Sequence, residues 1–321
     1  AIGIGFESLS ALTSGSLNTA LGYKAGGALT TGASNVFIGH QSGQTTHIDS
    51  TANVAIGRQS FAGTHTGSGS SSNVAIGNLA MGAGACNAAD NNVAIGDSSL
   101  EDITTANGNV CVGFQSGTAI TTGIHNICIG YQAGNNITES QGNVLIGTGA
   151  AAAHATASSG DNSIVISAGT NAVTSAGTET IRIGVDSDFV TLDFGGGGET
   201  WSHTSDERIK KEINDTDIGL DFINDLRPVT FKRKAPSEYP KSFNSYNERK
   251  TKRNNPDKIN YGFIAQEVKK SMDKVNHSNF TAWIEREDGC QELGETMLIV
   301  PLVKAIQELT AKVKELESKL K

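Results

Sequence analysis

The first 200 residues contain almost no positive charge. Only Lys24, Arg58 and Arg182 are basic there, against thirteen acidic residues, so the net charge of this part is −10. Nucleic-acid binding requires a basic face, so we expect no nucleic-acid partner. Residues 201–321 carry the other 22 basic and 20 acidic residues, a balance that favours a solvated surface over a basic arm. The change in composition and the chain length predict two domains.

Long hydrophobic runs and metal-binding spacings are also missing. No apolar stretch approaches the roughly 18 residues that a spanning helix needs, so we expect no membrane insertion. The four cysteines, Cys86, Cys111, Cys128 and Cys290, follow no C-x-x-C spacing, so we expect no zinc or other metal site, and no cofactor.

A five-residue phrase recurs through the first part of the chain. It reads Asn-Val-Ala-Ile-Gly or a close variant, and it closes at positions 5, 22, 39, 57, 77, 96, 113, 130, 147, 167 and 184. Units of 17 to 20 residues are too short to hold a crossover helix, and glycine and β-branched residues disfavour helical repeats. Each unit therefore predicts one short strand, whose apolar face is covered only when copies stack. The closing glycine would occupy a corner that needs an unusual φ. We expect an all-β parallel β-solenoid over residues 1–190.

Stacked repeats would also align side chains into ladders. The residue after the closing glycine is often aromatic or large, and glutamine follows it: Phe6, Tyr23, His40, Arg58, Phe114 and Tyr131, with Gln41, Gln59, Gln115 and Gln132. We interpret these ladders as structural, filling corners or a contact between chains, with a sugar-binding platform as the alternative. Cys111 and Cys128 share one register and should be adjacent buried thiols, with a disulfide as the alternative.

A group of acidic residues raises the question of glycan cleavage. Asp97, Glu101 and Asp102 cluster in the sequence, and Asp90 lies one repeat earlier. A glycosidase needs two carboxylates within several ångströms of each other. Isolated acids on a solvated edge are common, so we do not expect catalysis at this place.

The repeated phrase resembles the head repeat of YadA-like trimeric adhesins, whose unit is somewhat shorter. The resemblance covers roughly residues 1–185. It implies a left-handed parallel β-roll in which three chains lie side by side, and hence a homotrimer.

A change of composition separates the repeats from the rest of the chain. We expect a Gly-rich linker over residues 191–203, and Ser205-Asp206-Glu207-Arg208-Ile209-Lys210 follows it closely. A serine hydroxyl becomes a nucleophile when a neighbouring base takes its proton, and a lysine can be that base when burial lowers its pKa. Such a pair would let the chain cut itself. On these residues alone, a helix N-cap with surface lysines is the competing interpretation.

Residues 201–321 resemble the C-terminal intramolecular chaperone of phage tailspikes, a self-cleaving endosialidase-type peptidase domain. The stretches that carry the resemblance are 205–210, 226–231 and 261–268. The resemblance implies that Ser205 is the catalytic nucleophile and Lys210 its base. It places the cut between Thr204 and Ser205, with the bond after Ser205 as the second choice. The expected domain is a small α+β chaperone over residues 204–321, in which the polar stretch 235–258 is a loop or insertion.

The C-terminus carries a heptad pattern. Apolar residues alternate in steps of three and four, at Ile299, Leu302, Ile306, Leu309, Val313, Leu316 and Leu320. This spacing predicts a coiled-coil seam over residues 297–321. β-Branched residues at heptad position a with leucine at position d favour dimers in isolated coiled coils, but three heptads are too short to set the stoichiometry of a large attached domain. Both resemblances imply trimers, so we expect a trimerisation seam, with an amphipathic helix packed on its own domain as the alternative.

Together these features indicate a segment of a viral, in particular phage, tail fibre or tailspike on the virion. Its expected partners are two further copies of the chain and a host-surface glycan or protein receptor. The C-terminal domain would trimerise and fold the fibre and then release itself by single-turnover autoproteolysis at Ser205. The alternatives are a trimeric cell-surface adhesin with the same chaperone, and a polysaccharide-depolymerising tailspike.

Overall fold

The structure is a computed structural model, which describes residues 1–46, 48–64, 67–150, 161–169, 173, 177–186, 188–194 and 201–320. The chain folds into two compact units, Ala1–Asp206 and Glu207–Lys321. None of the helices in the described ranges has the length and apolar character needed to cross a membrane.

The first unit is built on one sheet whose strands follow chain order. The strands are β1 (Ile2–Ile4), β2 (Thr19–Leu21), β3 (Val36–Ile38), β4 (Val54–Ile56), β5 (Val74–Ile76), β6 (Val93–Ile95), β7 (Val110–Val112), β8 (Ile127–Ile129), β9 (Val144–Ile146), β10 (Ile164–Ala168), β11 (Thr180–Val185), β12 (Asp188–Asp193) and β13 (Ser202–His203). From β1 to β11, neighbours pair in parallel with equivalent residues of successive repeats opposite each other. β12 then pairs antiparallel with β11, and β13 pairs antiparallel with β12. The parallel β-solenoid that the repeat predicts is confirmed.

The two faces of the solenoid sheet differ in burial. One row of residues points into the coil and is at most 1% exposed from β2 to β10. It consists of the middle residues of β2 to β9 and the second residue of β10: Ala20, Phe37, Ala55, Ala75, Ala94, Cys111, Cys128, Leu145 and Val165. The residues on either side of it point away from the coil, and none of them is buried. Stacking therefore covers the small central side chains and leaves the β-branched ones open.

The corner glycines explain why the repeat ends as it does. The nine closing glycines from Gly5 to Gly147 have φ between +110° and +141°, a region that side chains strongly disfavour. At Gly96, a Cβ atom would lie 2.3 Å from the carbonyl oxygen of Gly113 in the next turn. Glycine is thus required both by the backbone conformation and by the close approach of the next turn.

A ladder of buried asparagines runs along the coil axis. Its members open the repeated phrase and are at most 2% exposed: Asn18, Asn35, Asn53, Asn73, Asn92, Asn109, Asn126 and Asn143. In a typical step, Asn73 Oδ1 accepts hydrogen bonds from the backbone N of Asn92 at 2.9 Å and from its Nδ2 at 3.1 Å. Asn73 Nδ2 donates to the carbonyl oxygen of Ala89 at 2.7 Å. Each amide therefore ties one turn to the next while satisfying a corner carbonyl.

The second unit is a small α+β domain that ends in a long helix, as the sequence predicts. Its elements are α1 (Leu220–Asp225), β14 (Val229–Phe231), β15 (Asn260–Gly262), α2 (Ala265–Lys274), β16 (Trp283–Glu285), β17 (Gln291–Leu293) and α3 (Ile299–Lys319). β14 pairs antiparallel with β15, and β16 with β17. The core gathers Phe222 of α1, Val268 and Met272 of α2, and Leu298 just before α3.

Candidate functional site

The proposed catalytic residues lie at the boundary between the two units. Ser205 comes two residues after β13 and belongs to the first unit, whereas Lys210 belongs to the second. Between them, Glu207–Ile209 forms a single 3-10 turn, which ends where the backbone N of Lys210 donates to the carbonyl oxygen of Glu207 at 3.0 Å. The side chains of Ser205 and Lys210 are exposed in the single chain. The segment is one short turn, so the N-cap interpretation has little helix to cap.

Two of the stretches that resemble the tailspike chaperone are held together in the second unit. The segment 226–231 supplies β14, and the segment 261–268 begins in β15, its antiparallel partner. Next to this pairing, Arg227 Nε donates to Glu267 Oε2 at 3.0 Å. Hydrogen bonding to Arg227 lowers the pKa of the Glu267 carboxyl, and the bond raises the pKa of Arg227 in turn. Both side chains are well exposed, so the pair orients the two segments more than it stabilises the fold.

The helix α3 has two different faces. One face packs within its own unit, with Pro301 and Ala305 buried and in line with Leu298. The predicted seam occupies another face, and its seven members are between 43% and 87% exposed: Ile299, Leu302, Ile306, Leu309, Val313, Leu316 and Leu320. The helix begins at Ile299, directly after a 3-10 turn, Glu295–Leu298. Packing on its own domain therefore involves residues other than the seam, which is left uncovered.

Sequence reasoning missed a residue that links α3 to α1. Glu308 Oε2 accepts a hydrogen bond from the backbone N of Leu220 at 2.8 Å, so its carboxylate caps the first turn of α1. A Cβ atom on Gly219 would lie 2.5 Å from the same oxygen, so the contact needs glycine there. Leu298, Pro301, Ala305 and Glu308 are spaced three, four and three residues apart, so they share one face of the helix. This face differs from the seam, and its spacing is the sequence signal that could have identified Glu308.

The side-chain ladders of the solenoid form as expected, and their geometry favours the structural interpretation. The rings of Phe6 and Tyr23 stack with centroids 5.8 Å apart and planes 8° apart, and Phe114 and Tyr131 stack at 5.3 Å and 16°. Tyr23 also stacks on His40, at 5.1 Å. A sugar packs on the face of an aromatic ring, but within these stacks neighbouring rings face one another. The ladders are therefore better suited to holding successive turns in register.

Two of the four acidic residues considered for glycan cleavage, Asp90 and Asp97, accept hydrogen bonds within the solenoid. Asp90 Oδ1 accepts from the backbone N of Ser71 at 2.6 Å, and Asp97 Oδ1 accepts from Ser98 Oγ at 3.0 Å. Asp97 Oδ2 also accepts from Asn78 Nδ2 at 3.3 Å. The hydrogen bonds to Ser71 and Asn78 link neighbouring turns, which is a structural task. Within the described part of the chain, no group of three or more His, Cys, Asp or Glu side chains is arranged to hold a metal ion.

The cysteines of the solenoid are buried free thiols. Cys111 lies opposite Cys128 in the paired strands β7 and β8, and both are unbridged. Burial raises the pKa of the Cys86 thiol to about 12. Burial, followed by a hydrogen bond with Cys128, also raises the pKa of Cys111. All three thiols are fully buried and act as small hydrophobic side chains of the coil interior.

Comparison with known proteins identifies the C-terminal part. Residues 205–277 match the peptidase S74 family model, described as the chaperone of endosialidase. No curated protein and no solved structure matches the chain. The family match begins at Ser205, close to the end of the first unit at Asp206. It confirms the resemblance of this part to an intramolecular chaperone. A β-solenoid followed by a region that matches the chaperone-of-endosialidase model fits a tail fibre with a C-terminal chaperone domain.

Proposed function

We propose that this chain is a host-attachment fibre whose C-terminal unit assembles it as a homotrimer and then releases itself by cutting the Thr204–Ser205 bond. The observation that carries the proposal is the position of the family match. The chaperone-of-endosialidase region starts at the serine with which the peptidase would attack, within two residues of the boundary between the units. A folding device at that place can be removed without cutting the solenoid.

The open face of the solenoid supports association of several chains. Two rows of mostly β-branched residues run along the eleven parallel strands, on either side of the central row that is buried from β2 to β10, and Ile4, Ile95 and Ile183 remain 59%, 37% and 41% exposed. At about 4.8 Å per strand, this apolar stripe is roughly 50 Å long. Monomeric proteins rarely leave so large a continuous apolar patch open. The face is therefore suited to burial against other copies of the chain.

The seam of α3 supports association in the second unit by the same reasoning. Its residues project at heptad spacing from a 21-residue helix, and they are not used for packing on the unit's own core. Knobs-into-holes packing with identical helices would cover them. We propose three helices, because the resemblances of both parts are to trimeric proteins.

The self-cleavage would be an N-to-O acyl shift followed by hydrolysis. Ser205 Oγ attacks the carbonyl carbon of Thr204 while the Lys210 amine takes the hydroxyl proton. The C–N bond then breaks, the proton passes to the leaving nitrogen, and Ser205 acquires a free α-amino group and an ester to Thr204. Water hydrolyses the ester, which leaves a carboxylate on Thr204 and restores the hydroxyl. No metal or cofactor takes part in this sequence.

Assembly would control when the cut occurs. A lysine acts as a base near neutral pH when it is removed from water, but Lys210 is exposed in the single chain. We propose that association of three chains buries the amine and so activates the serine only after the fibre has formed. The order matters because a solenoid depends on non-local contacts, and a template that aligns the chains lowers the entropic cost of forming the first turns.

The cut is tested by gel electrophoresis of the purified protein and two single variants. The parent should appear as pieces of roughly 20 kDa and 13 kDa, in proportion to their lengths. Ser205→Ala and Lys210→Ala should each leave the 33.4 kDa chain whole. Lys211→Ala is the matched control, since it removes the adjacent lysine and should still be processed. Full processing of Ser205→Ala would show that the nucleophile is a different residue.

Assembly is tested by light scattering on the uncut Ser205→Ala chain. A trimer has a mass of about 100 kDa, three times the 33.4 kDa chain. Leu309→Asp in the seam and Ile95→Asp on the open sheet face should each lower the mass. Ala311→Asp on the same helix and Thr105→Asp in an exposed turn are the controls and should not change it. A parent that remains at the mass of one chain would overturn the trimer.

Attachment to a host surface is tested with the cleaved fibre on an array of bacterial surface glycans and on whole cells. Saturable binding supports the attachment function. Release of reducing ends from a bound polysaccharide would instead identify a depolymerising tailspike. Absence of binding to both glycans and cells would count against attachment through this segment.

A further inference from the structure

The insertion in the second unit concentrates positive charge in a chain whose net charge is negative. Residues 232–258 contain nine basic and three acidic residues, a net charge of +6, whereas the whole chain carries −8. When residues 201–321 are counted together, the acidic residues outside this segment nearly cancel its charge, so the composition indicates a neutral surface. The structure brings several of the basic side chains to one place.

Four of these cations line a single open cavity of about 510 Å³. We call it the basic pocket and define it by Arg233, Lys252, Arg253 and Lys258. The rest of its wall consists of Pro236 and the amide side chains of three asparagines, and it includes no acidic residue. The volume falls within the range of small-molecule sites, roughly 300–1,000 Å³.

Two of the three acidic residues of the segment, Asp257 and Glu238, are engaged in other contacts, and neither lines the basic pocket. Asp257 pairs with Lys232 at 2.8 Å, which lowers the pKa of its carboxyl, and Lys232 does not line the pocket. Glu238 Oε2 accepts from the backbone N of Ala235 at 2.8 Å. In the described ranges, Arg233, Lys252 and Lys258 take part in no ion pair with a carboxylate. The charges that face the pocket are thus not neutralised by the protein.

One of the four cations is held in a fixed position. Arg253 Nε donates to the carbonyl oxygen of Lys234 at 2.8 Å, and its terminal nitrogen contacts the hydroxyl of Tyr239. These contacts orient the guanidinium plane and use only part of its five donors. A second guanidinium, two ammonium groups and three amides surround the same space. Oriented guanidinium groups with nearby ammonium groups match the oxygens of phosphate, which accept paired hydrogen bonds from arginine.

We propose that the basic pocket binds a multivalent anion of the phosphate class. Its cations are exposed, so each contributes little by itself in water, and useful affinity requires a ligand that contacts several of them at once. The proposal is independent of self-cleavage, because the pocket lies wholly within Glu207–Lys321.

The test is calorimetric titration of the uncut Ser205→Ala chain with tripolyphosphate, orthophosphate and citrate at matched ionic strength. Tripolyphosphate should bind saturably with one site per chain, and orthophosphate at least about tenfold more weakly, because it contacts fewer cations. Citrate carries a similar charge on carboxylates and should also bind more weakly. Affinity should fall as the salt concentration rises.

Two double variants with the same loss of charge localise the site. Arg233→Ala with Lys252→Ala should weaken tripolyphosphate binding about tenfold or more, since it removes two charge-assisted contacts. Lys241→Ala with Lys250→Ala removes two cations from the same segment but not from the pocket, and should change the affinity less than about twofold. Circular dichroism verifies that both variants are folded.

Three outcomes would overturn the proposal. The first is the absence of saturable binding of tripolyphosphate. The second is equal weakening in the two double variants, which would indicate attraction by the general charge of the segment. The third is equal affinity for citrate and tripolyphosphate, which would remove the preference for phosphate.

Discussion

Replacing Asn73 with alanine tests the asparagine ladder at its centre. Asn73 is 1% exposed, and its amide joins its own turn to the turn that contains Asn92. Alanine keeps the backbone of β5 and removes only the amide. Two buried groups then lose the hydrogen bonds described above: the backbone N–H of Asn92 and the carbonyl of Ala89. The Nδ2 of Asn92 retains a bond to the carbonyl oxygen of Ala106 at 2.9 Å.

The magnitude follows from those two groups. A buried donor or acceptor left without its partner costs about 1–3 kcal/mol. Asn73→Ala should therefore lower the free energy of unfolding of the first unit by about 2–6 kcal/mol per chain. Asn78→Ala is the matched control, because Asn78 is also hydrogen bonded to neighbouring turns, through Arg58 and Asp97, but lies at the surface. The control should lose less than about 1 kcal/mol.

The assay is urea denaturation followed by far-ultraviolet circular dichroism, with hydrogen exchange on the peptide that contains Asn92. The variant should unfold at lower urea, and the amide of Asn92 should exchange faster than in the parent. Equal losses for Asn73→Ala and Asn78→Ala, or unchanged protection of Asn92, would refute the view that the buried ladder stabilises the coil.

Four further predictions concern other parts of the chain. Gly96→Ala should destabilise the first unit by at least about 3 kcal/mol, because it combines backbone strain with a clash against the next turn. Gly67→Ala is the control: its added Cβ meets Asn87 at 3.4 Å, so it should cost less than about 1 kcal/mol. Equal urea midpoints for the two variants would contradict this prediction. Glu308→Ala should lower the stability of the second unit by about 1–2 kcal/mol, because α1 loses its cap. Glu308→Gln keeps a hydrogen-bond acceptor and should lower the stability less. Thermal unfolding of the second unit measures the effect of both substitutions. In the native protein at pH 8, a thiol reagent should modify Cys290 before the three buried cysteines. Burial raises the pKa of the Cys86 thiol in the folded state to about 12, so on raising the pH this thiol ionises first in the unfolded chain. The free energy of unfolding of the first unit should therefore fall as the pH rises above about 9. An equal free energy of unfolding at pH 8 and pH 10.5 would contradict this prediction.

The solenoid could be predicted in detail because its contacts repeat. The phrase closes every 17 to 20 residues, and the paired strands place equivalent residues opposite each other, as with Cys111 and Cys128. Alternation within the strand shows that Val and Ile share one face and the small middle residue the other. It does not show which face is inside. The structure shows that the middle row is inside, where six of the nine residues from β2 to β10 are alanine or cysteine.

The second unit was less predictable because its important contacts join distant parts of the chain. Glu308 and Leu220 are 88 residues apart, and no local pattern connects them. Arg233 lies just before the polar stretch 235–258 and Lys252 lies within it, and the sequence indicates that stretch only as a loop. The pairing of Ser205 with Lys210 depends on resemblance to a family, and it remains a prediction that the variants described above test directly.

The apolar surfaces left open in the two units support assembly by independent routes. In the first unit the open surface follows from the period of two in a strand, and in the second it follows from the steps of three and four in a helix. Each unit also possesses a separate core of its own, so neither surface is needed to complete a single-chain fold. Exposed apolar residues that occur by chance would not be expected to follow the period of a strand in one unit and the period of a helix in the other. The simplest physical account is that both surfaces are selected to contact other copies. The two substitutions Leu309→Asp and Ile95→Asp should then weaken the same assembly, although they lie in units whose folds are separate.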